Sequence, residues 1–195
     1  MKRLIVASTN AGKIREVSLA LSDLPDWNVE SLPEIPEIEE TGTTFLENAE
    51  LKAAHYSTFI EDLTLADDSG LCVFALDGRP GLHSARYAPS APSGEARNAR
   101  LLEELASRGE GVDRAAAFYC AFAVAHAGKI VWKTQTDLQG MIAKAPAGDF
   151  GFGYDPIFFV SQEGKTLAQM FPDEKNRISA RGKALRELRA FLLAR

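Results

Sequence analysis

The chain has 195 residues, of which 46% are hydrophobic and 25% charged. That composition suits one globular domain with a substantial core. Its 27 acidic and 22 basic residues leave a net charge of −5, which argues against a broad nucleic-acid surface but not against one nucleotide held by a few local cations. Cys72 and Cys120 lie in apolar runs and read as buried thiols of a reducing compartment, not as a disulfide or metal framework. No apolar run reaches the roughly 18 residues of a membrane span, and the N-terminal apolar stretch is too short for a signal-peptide core. The expected location is the cytoplasm.

Leu4-Ile-Val-Ala7 reads as a short buried strand, and Ser8-Thr-Asn10 as a turn and helix cap. A helix is predicted from there to about residue 24, with Ile14, Val17, Leu21 and Leu24 on one stripe and Pro25 as its stop. Its start is unusual. Gly12 is a poor helix former, and Lys13 sits in the first turn, where the helix dipole disfavours a cation. An anion held by Ser8, Thr9, Asn10, the free first-turn N–H groups and Lys13 would resolve both choices. A solvent-exposed lysine beside a cap fits the same residues.

A strand is predicted over 27–32, then a Pro- and Glu-rich loop over 33–40. Glu39-Glu40 in that loop could supply oxygens to a hard cation such as Mg²⁺ or be a solvated charge run. Thr44-x-x-Glu47 is a capping-box pattern opening a helix to about residue 60, with Asn48 and Lys52 sharing one face. A strand over 63–66 and another over 71–76 flank Asp67-Asp68-Ser69-Gly70, which is expected to turn at the rim of the core. Two carboxylates about 4 Å apart repel by about 4 kcal/mol at an effective dielectric near 20, so a cation is expected there. A plain polar turn remains the alternative.

A Gly/Pro-rich loop spans 77–92, a third helix 95–108, and a pair of strands 115–126 and 129–137 is joined at Ala127-Gly128, with 138–143 open as an extension of the second strand past Gly140. Gly151-Phe-Gly-Tyr-Asp155-Pro precedes a strand over 156–160. It lacks the third glycine and following helix of a dinucleotide fingerprint. Phe152 and Tyr154 could offer a stacking surface or belong to the core. Lys175-Asn-Arg-Ile-Ser179-Ala-Arg181 leads into a C-terminal helix from about residue 179. His55, His83 and His126 show no metal-ligand spacing. The elements together predict an α/β fold, a mixed sheet flanked by helices, with 1–195 as a single domain.

Six blocks in order resemble the inosine/xanthosine triphosphate pyrophosphatase family, which hydrolyses non-standard purine nucleoside triphosphates. They are Ser8-Thr-Asn-Ala-Gly-Lys13; Glu39-Glu-Thr-Gly42 with Phe45-x-Glu-Asn48-Ala and Lys52; Ala66-Asp-Asp-Ser-Gly-Leu71; Gly81-x-x-Ser84-Ala-Arg-Tyr87; Gly151-Phe-Gly-Tyr-Asp-Pro156; and Lys175-Asn-x-Ile-Ser179. The resemblance implies two lobes with a central cleft, a homodimer, and Mg²⁺-dependent cleavage of ITP, dITP or XTP to the monophosphate and pyrophosphate. It implies Asp68 as general base, Glu39 and Asp68 as metal ligands, and Ser8, Thr9, Asn10, Lys13, Lys52 and Ser69 around the phosphates. Phe152, Gly153, Tyr154 and Asp155 would border the base, with Lys175, Ala180 and Arg181 completing its recognition. Arg181 is donor-only, so at purine position 6 it would favour an oxo over an amino group. Ala180 departs from the Ile-Ser-His-Arg run of many members and removes one side-chain contact. A pyrophosphatase for another modified nucleotide, or a nucleotide-binding regulator without turnover, are the competing readings.

Overall fold

Leu4, Ile5, Val6 and Ala7 are all buried, as expected of a strand covered on both faces. They end β1 (Lys2–Ala7), which pairs in parallel with β2 (Trp27–Ser31) on one side and β3 (Leu63–Val73) on the other. The computed structural model describes residues 1–31, 38–88 and 93–195. The remaining elements are α1 (Ala11–Ala20), α2 (Phe45–Tyr56), α3 (Gly94–Ser107), β4 (Ala115–His126), β5 (Lys129–Ile142), β6 (Phe158–Val160), β7 (Lys165–Thr166), α4 (Pro172–Ile178) and α5 (Ala180–Leu193). Short 3-10 turns occupy Gly81–Arg86 and Asp155–Ile157.

Among the described residues the strands form one seven-stranded sheet in the order β2-β1-β3-β4-β5-β6-β7. The pairs β5–β6 and β6–β7 are antiparallel, so the sheet is mixed, as the sequence predicts. Ala127 and Gly128, both with positive φ (48° and 77°), form the two-residue connection from β4 to β5 that suits a hairpin.

Two compact units are distinguished, one comprising Met1–Asp68, Cys120–Thr136 and Lys183–Arg195, the other Ser69–Tyr119 and Asp137–Gly182. In the first, α1 packs on β2 and α2 on β1. Val17, Leu21, Ala49, Ala53, Leu65, Phe122 and Leu188 are buried, and Trp132 stacks on Phe191 with centroids 5.3 Å apart. In the second, Leu71, Leu101, Leu105, Ile142 and Ile157 are buried, and Phe118 packs on Phe158 at 4.6 Å.

Several predicted boundaries move for identifiable reasons. α1 stops at Ala20 because the Ser22 hydroxyl donates to the Leu19 carbonyl, and α2 stops at Tyr56 because Ser57 and Thr58 donate to the carbonyls of Ala54 and His55. The 156–160 strand begins later, at Phe158, after the 3-10 turn. Lys175 lies within α4, ahead of the predicted C-terminal helix, and β7 has no clear sequence signature. The predicted loop over 33–37, the end of the 27–32 strand at Leu32, and residues 89–92 of the Gly/Pro-rich loop lie outside the described residues.

The turn expected at Asp67-Asp68-Ser69-Gly70 is the main correction. β3 runs unbroken from Leu63 to Val73 through all four residues. Turn preference in Asp and Ser comes from side chains that bond their own backbone. Here those side chains are engaged by groups from elsewhere in the chain, so the backbone stays in the sheet.

Candidate active site

In the first unit, β1 pairs with β3 as far as Ala7 opposite Ala66. Asp67 and Asp68 therefore lie just past the carboxyl end of β1, where the chain leaves for α1. That end of parallel strands is where open α/β sheets bind ligands. Asn10 caps α1: its Oδ1 accepts from the N–H groups of Gly12 (2.9 Å) and Lys13 (3.2 Å). The Asn10 N–H in turn donates to Ser8 Oγ, and Thr9 is exposed. Asn10 thus shapes the helix start with its side-chain oxygen.

Lys13 is not a surface lysine. Its ammonium lies 2.9 Å from Asp67 Oδ2, with the lysine side chain 17% and the aspartate 7% exposed. The cation that the helix dipole disfavours is stabilised by a carboxylate 54 positions along the chain.

The capping box at Thr44 and Glu47 is present and fixes the start of α2, so that Asn48 and Lys52 both reach Asp68. Asn48 Nδ2 donates to Asp68 Oδ2 (3.2 Å), while Lys52 Nζ lies 3.3 Å from Asp68 Oδ1 and 2.7 Å from Glu40 Oε1. Asn48 is itself oriented by the Gly42 N–H, which donates to its Oδ1 at 2.8 Å. A Cβ on Gly42 would stand 2.5 Å from that oxygen, so this close approach requires glycine.

Burial is the main influence on Asp68 and, with the nearby Glu40 carboxylate, holds its carboxyl above the ordinary range despite Lys52, Lys13 and Asn48. Burial works against the Lys52 ammonium, but the carboxylates of Asp68, Asp67 and Glu40 more than offset it and raise its pKa. The result is a partly desolvated carboxylate with a raised proton affinity, a property suited to a general base.

Glu40, not Glu39, is the acid bonded to Lys52; Glu39 is exposed. Among the described residues no three His, Cys, Asp or Glu side chains are grouped as a metal cage. The oxygens of Asp68 and its neighbours nevertheless fit a hard ion such as Mg²⁺, which commonly takes one or two carboxylates and completes its octahedron with water and substrate phosphates.

In the second unit, Gly151 and Gly153 have positive φ (75° and 63°) and wrap the backbone around Asp155. Asp155 Oδ2 accepts from the Phe152 N–H (2.8 Å) and from Lys175 Nζ (2.8 Å). A Cβ on Gly151 would lie 2.1 Å from that oxygen. The Lys175 ammonium also sits 4.7 Å from the Phe152 ring centroid. Arg181 Nη2 donates to Ser69 Oγ at 3.0 Å. Lys175 and Arg181 are each only 8% exposed. Ala180 is buried. Tyr154 is 5% exposed and donates its hydroxyl to the Ser84 carbonyl at 2.8 Å.

The structure thus groups Lys13, Lys52 and Asp68 with Asp67 and Glu40, which the sequence offered only as halves of two acidic pairs, and with Asn48, to which it gave no role. It groups Phe152, Asp155 and Lys175 in the same way. The i, i+4 spacing of Asn48 and Lys52 was the available signal for Asn48; nothing local distinguishes Glu40 from Glu39.

Fold and side chains together define a mixed α/β protein with buried, paired carboxylates and lysines at the carboxyl end of a parallel strand pair. The chain belongs to the Ham1 family, whose model matches residues 4–191. It is 48% identical over 195 residues to a dITP/XTP pyrophosphatase of Geobacillus kaustophilus, covering 96% of this chain and 93% of that protein. It is 47% identical to a dITP/XTP pyrophosphatase of Geobacter sulfurreducens, covering 98% and 97%. A HAM1 protein from Coxiella burnetii superposes with a TM-score of 0.89 at 39% identity over the whole of both chains.

Proposed function

We propose that residues 1–195 work as one pyrophosphatase domain that hydrolyses ITP, dITP and XTP to the nucleoside monophosphate and pyrophosphate with Mg²⁺. The observation that carries this reading is Asp68, a buried carboxylate of raised proton affinity held by Asn48 and Lys52. The naming of the relatives as dITP/XTP pyrophosphatases supports the substrate class.

Asp68 and Glu39 would hold the metal, with Glu40 nearby on Lys52. When bound, the metal neutralises phosphate charge and acidifies a water. The chain's own residues do the rest. Lys13 and Lys52 exchange carboxylate partners for phosphate oxygens, joined by Ser8, Thr9, the Asn10 amide, the N–H groups at the start of α1, and Ser69. Asp68 takes the proton of the attacking water. Phosphoryl transfer needs mainly positioning and charge neutralisation, which these groups supply.

In the second unit, Lys175 and Arg181 donate to the base, with Phe152, Gly153, Tyr154, Asp155 and Ala180 beside it. Both cations are donor-only, which favours a 6-oxo purine over adenine. A homodimer in the cytoplasm completes the proposal, in keeping with the resemblance and with the absence, among the described residues, of any helix long and apolar enough to cross a membrane.

The test is Mg²⁺-dependent pyrophosphate release from ITP, XTP, dITP, GTP, ATP and pyrimidine triphosphates. Turnover of the first three well above the rest is expected; tight ITP binding with no turnover would favour a non-catalytic regulator instead. Light scattering on the purified protein checks the dimer.

A further inference from the structure

Tyr154 and Ser84 form a hydrogen-bonded chain that the proposed reaction does not use. The Tyr154 hydroxyl donates to the Ser84 carbonyl (2.8 Å). Ser84 Oγ accepts from the Leu71 N–H (2.9 Å) and donates to the Gly81 carbonyl (2.6 Å). Ser84 and Tyr154 are both buried, and burial raises the Tyr154 pKa strongly, so the phenol stays a neutral donor.

The chain has two ends that matter. At one, Tyr154 adjoins Asp155, whose Oδ2 holds both the Phe152 N–H and the Lys175 ammonium. At the other, Leu71 lies two residues along β3 from Ser69, whose Oγ accepts from Arg181. The cation held by Asp155 and the cation held by Ser69 therefore refer to the same short stretch of strand, one directly and one through Ser84 and Tyr154.

We infer that the Tyr154–Ser84 hydrogen bond is a positioning device for base selection, fixing the Phe152–Asp155 turn and its Lys175 relative to Arg181. The Tyr154 hydroxyl does this work through the Ser84 carbonyl. Base discrimination by hydrogen bonding depends on donors held within fractions of an ångström of their acceptors, so a loosened turn loses selectivity first. This rests on the assignment of Lys175 and Arg181 to the base, and it adds Ser84 and the role of the Tyr154 hydroxyl to that contact set.

Tyr154→Phe deletes one oxygen and keeps the ring. Its effect is read from three quantities: KM and kcat for ITP, the ITP/ATP ratio of kcat/KM, and the inhibition constant of inorganic tripolyphosphate, which carries no base. The expected result is an ITP KM about tenfold higher, a smaller change in kcat, a reduced ITP/ATP ratio and an unchanged tripolyphosphate constant. Ser84→Ala, which cuts the same chain at Leu71, should move the same quantities in the same direction, and it substitutes for Tyr154→Phe if that variant does not fold. Wild-type constants in a folded variant would overturn the inference. So would a parallel loss of ITP and tripolyphosphate binding with a lowered Tm, the signature of general loosening. A wild-type protein inactive on ITP would instead defeat the proposed function, which the same assay distinguishes.

Discussion

Replacing Asp68 with asparagine keeps the side chain's size and removes its charge, which separates what that charge does for turnover from what it does for folding. In the native protein Lys52 Nζ stands 3.3 Å from Asp68 Oδ1, an attraction of about 5 kcal/mol at an effective dielectric near 20. Yet the Asp68 carboxyl is raised, because burial first and Glu40 second outweigh Lys52, Lys13 and Asn48. A carboxyl whose folded pKa exceeds its unfolded one favours folding while protonated, and that contribution is lost as pH rises through the folded pKa. At pH 7–8 the ionised Asp68 is therefore a net burden on the fold. In Asp68→Asn, Lys52 keeps Glu40 at 2.7 Å, and the amide oxygen still accepts from Asn48 or Lys52. The variant should be more stable than wild type in metal-free buffer at pH 7.5, each kcal/mol appearing as about 2–4 °C in Tm. Turnover of ITP should fall by about 10²–10⁴, the range of a lost general base, with nucleotide affinity kept within about tenfold, since Lys13 and Lys52 remain. Calorimetry and single-turnover kinetics on one preparation give both numbers. Wild-type turnover would refute the base assignment, and a Tm several degrees lower would refute the electrostatic account.

The neighbouring residues make further predictions. Lys13→Ala should raise the KM for triphosphate by about tenfold, one charge-assisted contact being worth roughly 1.5–3 kcal/mol; an unchanged KM in steady-state assays would leave Lys13 a partner of Asp67 and nothing more. Lys52→Met removes the strongest influence lowering the Asp68 pKa, so the acidic limb of its kcat profile should move to higher pH than in wild type, and coincident limbs would contradict this. Gly42→Ala brings a Cβ to 2.5 Å from Asn48 Oδ1. It should cost about 1–3 kcal/mol of stability and lower kcat through the displaced Asn48, with denaturant unfolding and kinetics as the checks; a variant unchanged in both would show that Asn48 does not position Asp68.

Much of the local architecture is legible in the sequence. The apolar run at Leu4–Ala7, the cap at Asn10, the Thr44–Glu47 box and the shared face of Asn48 and Lys52 all follow from patterns a few residues long. The awkward position of Lys13 correctly marked a place where local preference is overridden. The same local rules failed at Asp67–Gly70, where turn-forming residues continue a strand because Lys13, Asn48, Lys52 and Arg181 engage their side chains. They were equally silent on the Tyr154 hydroxyl, whose partner is the Ser84 carbonyl 70 positions away.

The sequence by itself therefore determined where α1, α2, β2, β4 and β5 begin, which residue types could carry chemistry, and the family to which the ordered blocks point. Only the tertiary structure decided that Lys13 faces Asp67, that Glu40 rather than its neighbour joins Lys52, and that Asp68 is desolvated enough to bind a proton more readily than an ordinary carboxylate. Caps and amphipathic stripes arise from backbone geometry that repeats within one or two turns. Charge pairing and desolvation depend on distances between residues far apart in the chain, which exist only once the sheet has assembled.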